Sequence, residues 1–404
     1  MTTLLSFLGR ARRPSPVGEE RGYPVSCYRF DSGNERTTPL FGIALAAEQA
    51  VDRVVFIGTA GSMWDFFIDE VIASDADSVI ELCEAVDQQV VDEAMLEEYR
   101  DRIGARLGLA AEQVECRIIP RAQTLEEQLG IVDCLAKIVV PKEELVLDVT
   151  HGFRHLPMLA LVAARYLEKA RGVHVREICY GAREMADENR VAPVVTLTGM
   201  LRIFDWIDAL TLHDKSGNYS MLAGLLEAEG LAPSDTATLQ RAAFQEGVNN
   251  FSDARDSLGT AVGKLRKAEL GPLARLFREP MLERFEWTRS ENDGAREFAL
   301  ARVHLAGADY LRATSLILEG TVTRSLARSG GNAGDARVRD EERESLRKKH
   351  ETVRALITLR NAVVHGVRAD DRDEAAVRAL KSEATMDEYV RSLLKRAEKL
   401  NFRR

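Results

Sequence analysis

Two kinds of segment alternate over the first half of the chain. Short apolar runs read as buried strands: Thr3 to Leu8, Arg53 to Gly58, Gln113 to Pro120, Glu144 to Asp148 and Val175 to Tyr180. Longer stretches with apolar residues at helical spacing lie between them, at Pro39 to Gln49, Ala76 to Gly108 and the stretch that runs on from Met158 to Leu167. Thr124 with Glu127 predicts a capped helix ending near Val139, and Thr37 or Thr38 is expected to cap the helix before Gln49. Tyr23 to Phe30 alternates weakly and is read as a hairpin strand. Strands in alternation with helices predict an α/β fold, a doubly wound and mostly parallel sheet.

After Thr198 the pattern changes. Gly199 to Leu212, Ser220 to Glu229, Thr236 to Asn250, Ser257 to Ala268 and Pro272 to Glu286 all carry helical spacing, and strand-like alternation does not return. The remainder is therefore expected to be all-α. The glycine-rich Arg328 to Ala336 reads as an exposed connector, and Glu351 to Val367 as one late helix.

In an open parallel sheet, ligands bind beyond the carboxyl ends of the strands, where helix N-termini offer free N–H groups to anions. Asp148, Thr150, His151 and Arg154 stand at such an edge. Spacing alone equally allows Thr150 and His151 to satisfy the turn while Asp148 caps it. Gly9 and Arg10 follow the first strand, where a glycine turn with an arginine suits phosphate contact and an exposed basic loop is the plain alternative; Arg12 and Arg13 extend the cluster. After the next strand, Thr59-Ala60-Gly61-Ser62-Met63-Trp64 is a turn of small residues that lets a ligand approach backbone. Trp64 itself is read as packing ahead of base stacking.

The string Asp148-Val149-Thr150-His151-Gly152-Phe153-Arg154, followed by Leu156-Pro157-Met158, resembles the DxTHG motif of the CRISPR-associated CARF family. Gly58 to Trp64 and Cys179-Tyr180-Gly181-Ala182 look like further landmarks of that family. The resemblance implies a Rossmann-like fold lacking the GxGxxG fingerprint, hence no dinucleotide cofactor. It also implies a sensor of cyclic oligoadenylate made during type III CRISPR immunity, with tetra-adenylate the first expectation for ring size and hexa-adenylate the second. The implied ligand residues are Gly9, Arg10, Thr59, Ala60, Gly61, Ser62, Asp148, Thr150, His151, Gly152, Phe153 and Arg154.

In the late helix, Arg360-Asn361-Ala362-Val363-Val364-His365, with Gly366 expected as its C-cap, resembles the RNxxxH motif of HEPN ribonucleases. The resemblance implies catalysis by Arg360, Asn361 and His365 on single-stranded RNA, in a homodimer or higher homo-oligomer. Metal-free RNA cleavage needs proton transfer and stabilisation of the phosphorane as the 2′-OH attacks phosphorus, leaving a 2′,3′-cyclic phosphate; His365 suits the first task and Arg360 the second. At about 100° per residue Arg360 and His365 lie about 140° apart around the helix, so one helix presents the pair poorly and two copies across a twofold axis would present it better. The expected organisation is a sensing domain over 1–198, a helical linker over 199–295 and a HEPN domain over 296–404.

Charge and cysteine content sharpen this picture. A net charge of −9 argues against a general nucleic-acid coat, although residues 341–404 hold sixteen Lys and Arg against twelve Asp and Glu. The five cysteines Cys27, Cys83, Cys116, Cys134 and Cys179 are scattered, with no CxxC pair, so neither zinc nor a disulfide framework is expected, and the histidines lack metal-ligand spacing. Met1 to Leu8 is too short for a secretory signal and no apolar run reaches a membrane span, which predicts a cytoplasmic protein. Two rivals stay open at this point: an enzyme that degrades the cyclic oligoadenylate at the DxTHG edge, and a ligand-responsive regulator whose helical half binds DNA. The second lacks a basic recognition helix after a tight turn.

Overall fold

Strands buried on both faces need continuous apolar runs, and such strands occupy the middle of the N-terminal sheet. The structure, a computed structural model, describes residues 1–10, 22–72, 76–365 and 374–402. Its eight strands are β1 (Thr2–Phe7), β2 (Ser26–Arg29), β3 (Glu35–Thr38), β4 (Arg53–Gly58), β5 (Val114–Ile118), β6 (Glu144–Asp148), β7 (His174–Gly181) and β8 (Val191–Thr196). They form one sheet in the order β3-β2-β8-β7-β6-β1-β4-β5. The run from β7 to β5 is parallel, while β7–β8 and β2–β3 are antiparallel. Every residue of β1 is buried, whereas β2 and β3 at the edge alternate between covered and exposed.

The helices of this unit are α1 (Phe41–Gln49), α2 (Trp64–Ile72), α3 (Ala76–Gln88), α4 (Glu93–Glu97), α5 (Arg100–Leu107), α6 (Leu125–Ile138) and α7 (Leu156–Tyr166). The expected cap of α6 is made, with Thr124 Oγ1 accepting from Glu127 N at 3.2 Å. The cap expected for α1 at Thr37 or Thr38 is not: Thr38 bonds to Leu40 inside the turn, and Leu40 at the N-cap position offers no side-chain acceptor. The hairpin reads differently as well, because its second strand, Glu35-Arg36-Thr37-Thr38, is an exposed polar edge with no apolar signal.

The chain divides into two compact units, Met1–Arg202 and Ile203–Arg404. The second is helical: α8 (Gly199–Ser216, entering from the first unit), α9 (Ser220–Ala228), α10 (Pro233–Gly247), α11 (Phe251–Leu265), α12 (Pro272–Arg284), α13 (Asp293–Ala306), α14 (Tyr310–Ser329), α15 (Ala336–Lys349), α16 (Glu351–His365), α17 (Glu374–Ala379) and α18 (Glu383–Glu398). One apolar cluster runs through it from Trp206 to Ala397, so the helices before 296 share a core with those after it. The hub is α14, buried nearly all round and packed against α13, α15, α16 and α18. It crosses α13 closely at two glycines: a Cβ on Gly294 would lie 3.2 Å from Gly320 O, and one on Gly320 3.2 Å from Gly294 O.

Candidate functional site

β1 is followed in the sheet by β4 and then β5 on one side, and β6 and β7, which follow β5 in the chain, continue the parallel sheet from its other side, so the sheet has a topological switch point between β1 and β6. The loops after these two strands meet there. A Cβ on Gly9 would lie 2.4 Å from Gly152 N and 2.8 Å from Gly152 Cα, backbone against backbone. Gly152 has φ +112, a conformation that side chains disfavour, which is why the turn after β6 needs glycine at this point.

The Asp-x-Thr-His string is wired inward. Asp148 is fully buried; its Oδ2 accepts from Ser6 Oγ at 2.7 Å and its Oδ1 from Thr150 N at 2.8 Å. Burial pushes its carboxyl up from the ordinary range, against His151 and the bonds from Ser6 and Thr150. Thr150 Oγ1 accepts from Gly181 N at 2.8 Å and so ties the end of β6 to the end of β7. Gly181 in turn has no room for a side chain, since a Cβ there would meet Tyr28 and Phe41 within 3.0 Å.

His151 replaces the missing cap of α1. Its Nε2 accepts from Phe41 N at 3.4 Å, which leaves the ring proton on Nδ1. Burial pushes the imidazole down against the pull of Asp148, so the ring is neutral at pH 7. Tyr23 packs on it with centroids 4.3 Å apart, and the Tyr23 hydroxyl accepts from Gly9 N at 2.8 Å. Burial raises the phenol and keeps it protonated. Ser6, Tyr23 and Phe41 thus belong to the site, although no periodicity or motif in the sequence singles them out.

The Thr59–Ser62 turn is pinned in the same way. Ser62 Oγ donates to Leu8 O at 2.9 Å and accepts from Thr59 N at 2.9 Å, and Met63 N donates to Gly9 O at 3.0 Å. Thr59, Gly61 and Ser62 are buried and Ala60 is half-buried. Trp64 is core: fully buried, with Nε1 donating to Thr59 O at 2.9 Å. What remains open at this edge is Arg10, Phe153 and Arg154, all exposed, and neither arginine has an ion-pair partner among the described residues. Arg12 and Arg13 lie outside the described residues.

Residues 3–183 match the family model described as CRISPR system endoribonuclease Csx1, CARF domain. The N-terminal unit is a CARF domain. The chain is also 25% identical over 322 residues to the CRISPR-associated protein MJ1674 of Methanocaldococcus jannaschii, a match covering 74% of this chain and 50% of that relative. It therefore spans about half the length of the curated relative it matches. Fold and comparison together place a CARF domain ahead of a helical unit, in a chain that is similar to a CRISPR-associated protein. No helix among the described residues is long and apolar enough to cross a membrane.

In the helical unit, α16 buries Val353, Leu356, Leu359 and Ala362. Arg360 is half-buried and lines a cavity of about 590 Å³, whereas Asn361, Val364 and His365 form an exposed face at i, i+3 and i+4. Within one chain Arg360 and His365 thus point to different surroundings. Gly366, expected as the C-cap, lies outside the described residues.

Proposed function

We propose that the protein is a homodimeric, metal-independent endoribonuclease that cleaves single-stranded RNA in type III CRISPR defence when cyclic oligoadenylate binds its CARF domain. The observation that carries this reading is the pairing of a CARF domain with a helix that bears Arg360, Asn361 and His365 at its end. Gly9, Arg10, Thr59 to Ser62 and Asp148 with Thr150 to Arg154 are the ligand edge. Arg10 and Arg154 supply positive charge toward the phosphates, and the inward-bonded residues hold the loops in shape. At the other end, His365 moves the proton and Arg360 stabilises the charge on phosphorus as the 2′-OH attacks. Asn361, Val364 and His365 are exposed on one side of α16, so a second copy laid against that face would complete a cleft that one chain leaves open.

The test is purified protein with labelled RNA, in excess EDTA, with cyclic tetra-adenylate or hexa-adenylate added. Cleavage that depends on one of these rings, leaves 2′,3′-cyclic phosphate ends and disappears in His365→Ala is expected. Cleavage in His365→Ala at the wild-type rate would remove the assignment. Consumption of the ring by His365→Ala would move the chemistry to the CARF edge, and loss of cleavage in EDTA restored by a divalent ion would indicate another nuclease class.

A further inference from the structure

The cavity on which Arg360 opens is built from α11, α13, α14, α15, α16 and the segments before α11, α13 and α15, all within the helical unit. Its volume of about 590 Å³ lies in the usual range for a small-molecule pocket. Phe251, Trp287 and Leu300 give it an apolar wall. The charges around it are mostly spent on one another. Asp293 holds Arg255 and Arg296, and Glu319 holds Arg339 and Arg343. Arg360 alone among the lining arginines has no hydrogen bond or ion pair with the described residues. Two buried atoms of the wall are also unsatisfied, Glu297 Oε2 and Arg296 Nε. Buried polar atoms are rarely left so, and these two mark a carboxyl and a guanidinium beside the cavity that the protein does not fully satisfy.

We propose that this cavity is a nucleotide pocket that receives one residue of the RNA strand, its phosphate toward Arg360 and its base edge toward Glu297. The proposal rests on the ribonuclease reading for the identity of the strand. One uncommitted guanidinium suits one phosphodiester, and the aromatic and aliphatic wall suits a base, which stacks on aromatic side chains. Glu297 sets which base. Its neighbours are Arg339 at 3.9 Å and Thr323, which favour its charge, and Glu319 and Asp293, whose charges oppose its own. Burial, the largest influence, brings its pKa up to about 7. Protonated, the carboxyl offers one donor and one acceptor, the complement of the N6–H donor and ring-nitrogen acceptor of adenine; ionised, it only accepts, as the N–H groups of guanine require. Adenine is therefore favoured below pH 7 and guanine gains above it.

Binding of AMP, GMP, CMP and UMP to the full-length protein by calorimetry at pH 6 and pH 8 tests this without relying on cleavage. AMP is expected to bind at least tenfold tighter than CMP or UMP at pH 6, with the AMP-to-GMP ratio falling by pH 8. Glu297→Gln, which keeps a donor and an acceptor at every pH, should hold the AMP preference at pH 8, and Glu297→Ala should lose it. Arg360→Ala should weaken AMP while leaving adenosine unchanged. Ser315→Phe and Leu300→Trp, which fill the cavity, should abolish binding, with thermal melting showing that at least one of them folds. Equal binding of all four nucleotides, or AMP binding untouched in a folded cavity-filled variant, overturns the proposal. Nucleotide binding in a protein that never cuts RNA would sink the ribonuclease reading alone, whereas base-indifferent cleavage with no nucleotide binding would sink the pocket alone.

Discussion

Gly9→Ala probes the crevice at its narrowest point. The added Cβ would stand 2.4 Å from Gly152 N, against an ordinary contact of at least 3.4 Å, so the β1 and β6 loops have to part by about 1 Å. Gly152 cannot easily give way, because its own φ of +112 already commits the turn. The movement has to come from Gly9, where two bonds are at stake: Gly9 N to Tyr23 OH at 2.8 Å and Met63 N to Gly9 O at 3.0 Å. Overpacking of this kind costs about 1–3 kcal/mol, and each bond is worth about 1 kcal/mol, so about 2 kcal/mol is a fair expectation. For a unit of this size that lowers its Tm by about 4–8 °C. A displacement of about 1 Å in the loops that hold the ligand should also weaken cyclic tetra-adenylate roughly tenfold, the equivalent of about 1.4 kcal/mol. Gly130→Ala is the control: it lies in α6 with nothing within 4 Å of the new methyl, and should melt no lower than wild type and bind normally. Calorimetric melting and titration read both quantities. A Gly9→Ala protein that melts and binds as wild type would show that the two loops are not held against each other, and the account of the crevice would fail.

Four further outcomes follow. Arg154→Ala should raise the cyclic oligoadenylate concentration needed for half-maximal cleavage with Tm unchanged, because Arg154 is exposed, while Thr150→Ala should raise it and lower Tm together, because its hydroxyl holds Gly181 N. Ser6→Ala leaves the buried Asp148 Oδ2 without its donor and should cost about 1–3 kcal/mol in denaturant titrations, with the Ser6→Ala/Asp148→Asn double variant costing less than the two singles added. Val364→Asp, at a position 49% exposed, should yield monomers by light scattering and no cleavage without a fall in Tm; active monomers would exclude the α16 dimer. Glu297 binds its proton more tightly in the folded state, its pKa going from 4.5 to about 7, so its contribution is full below pH 4.5 and is lost as pH rises through 7. That gap is worth roughly 3 kcal/mol, and Glu297→Gln should remove this part of the decline between pH 5 and pH 8, as measured by denaturation of the helical unit.

The central strands were legible because burial on both faces writes them as apolar runs: β4 spans the residues expected for it, and β1 and β6 lie within a residue of expectation. Edge strand β3 escaped because Glu35-Arg36-Thr37-Thr38 faces solvent and carries no apolar alternation. The fold class, a mostly parallel α/β sheet followed by helices, was readable for the same reason. The loop residues were readable as a group and less so as individuals. Thr59 and Ser62 look like free hydroxyls in the sequence, yet the fold spends them on backbone. Ser6, Tyr23 and Phe41 could not be found, since each joins the site across more than a hundred residues of chain or through a loop without pattern. Helical geometry alone did anticipate that Arg360 and His365 diverge, which the half-buried Arg360 and exposed His365 show.

The inward wiring of Asp148, Thr150 and His151 has a consequence for how charge is recognised. A neutral His151 bonded to the N-terminus of α1 brings no positive charge to a phosphate, and Asp148, with both oxygens engaged, is in no position to attack one. The motif instead fixes where Gly152 turns and where Arg154 emerges, as Ser62 fixes the exit of the chain past Gly9 toward Arg10. If cyclic oligoadenylate binds this edge as proposed, its recognition falls to the two exposed arginines and to backbone N–H groups, so that affinity should fall steeply with salt while the shape of the site does not. Because a ligand shifts an equilibrium only by its difference in affinity for two arrangements, under the proposed function that difference has to arise at the two exposed arginines and not at the buried residues beneath them.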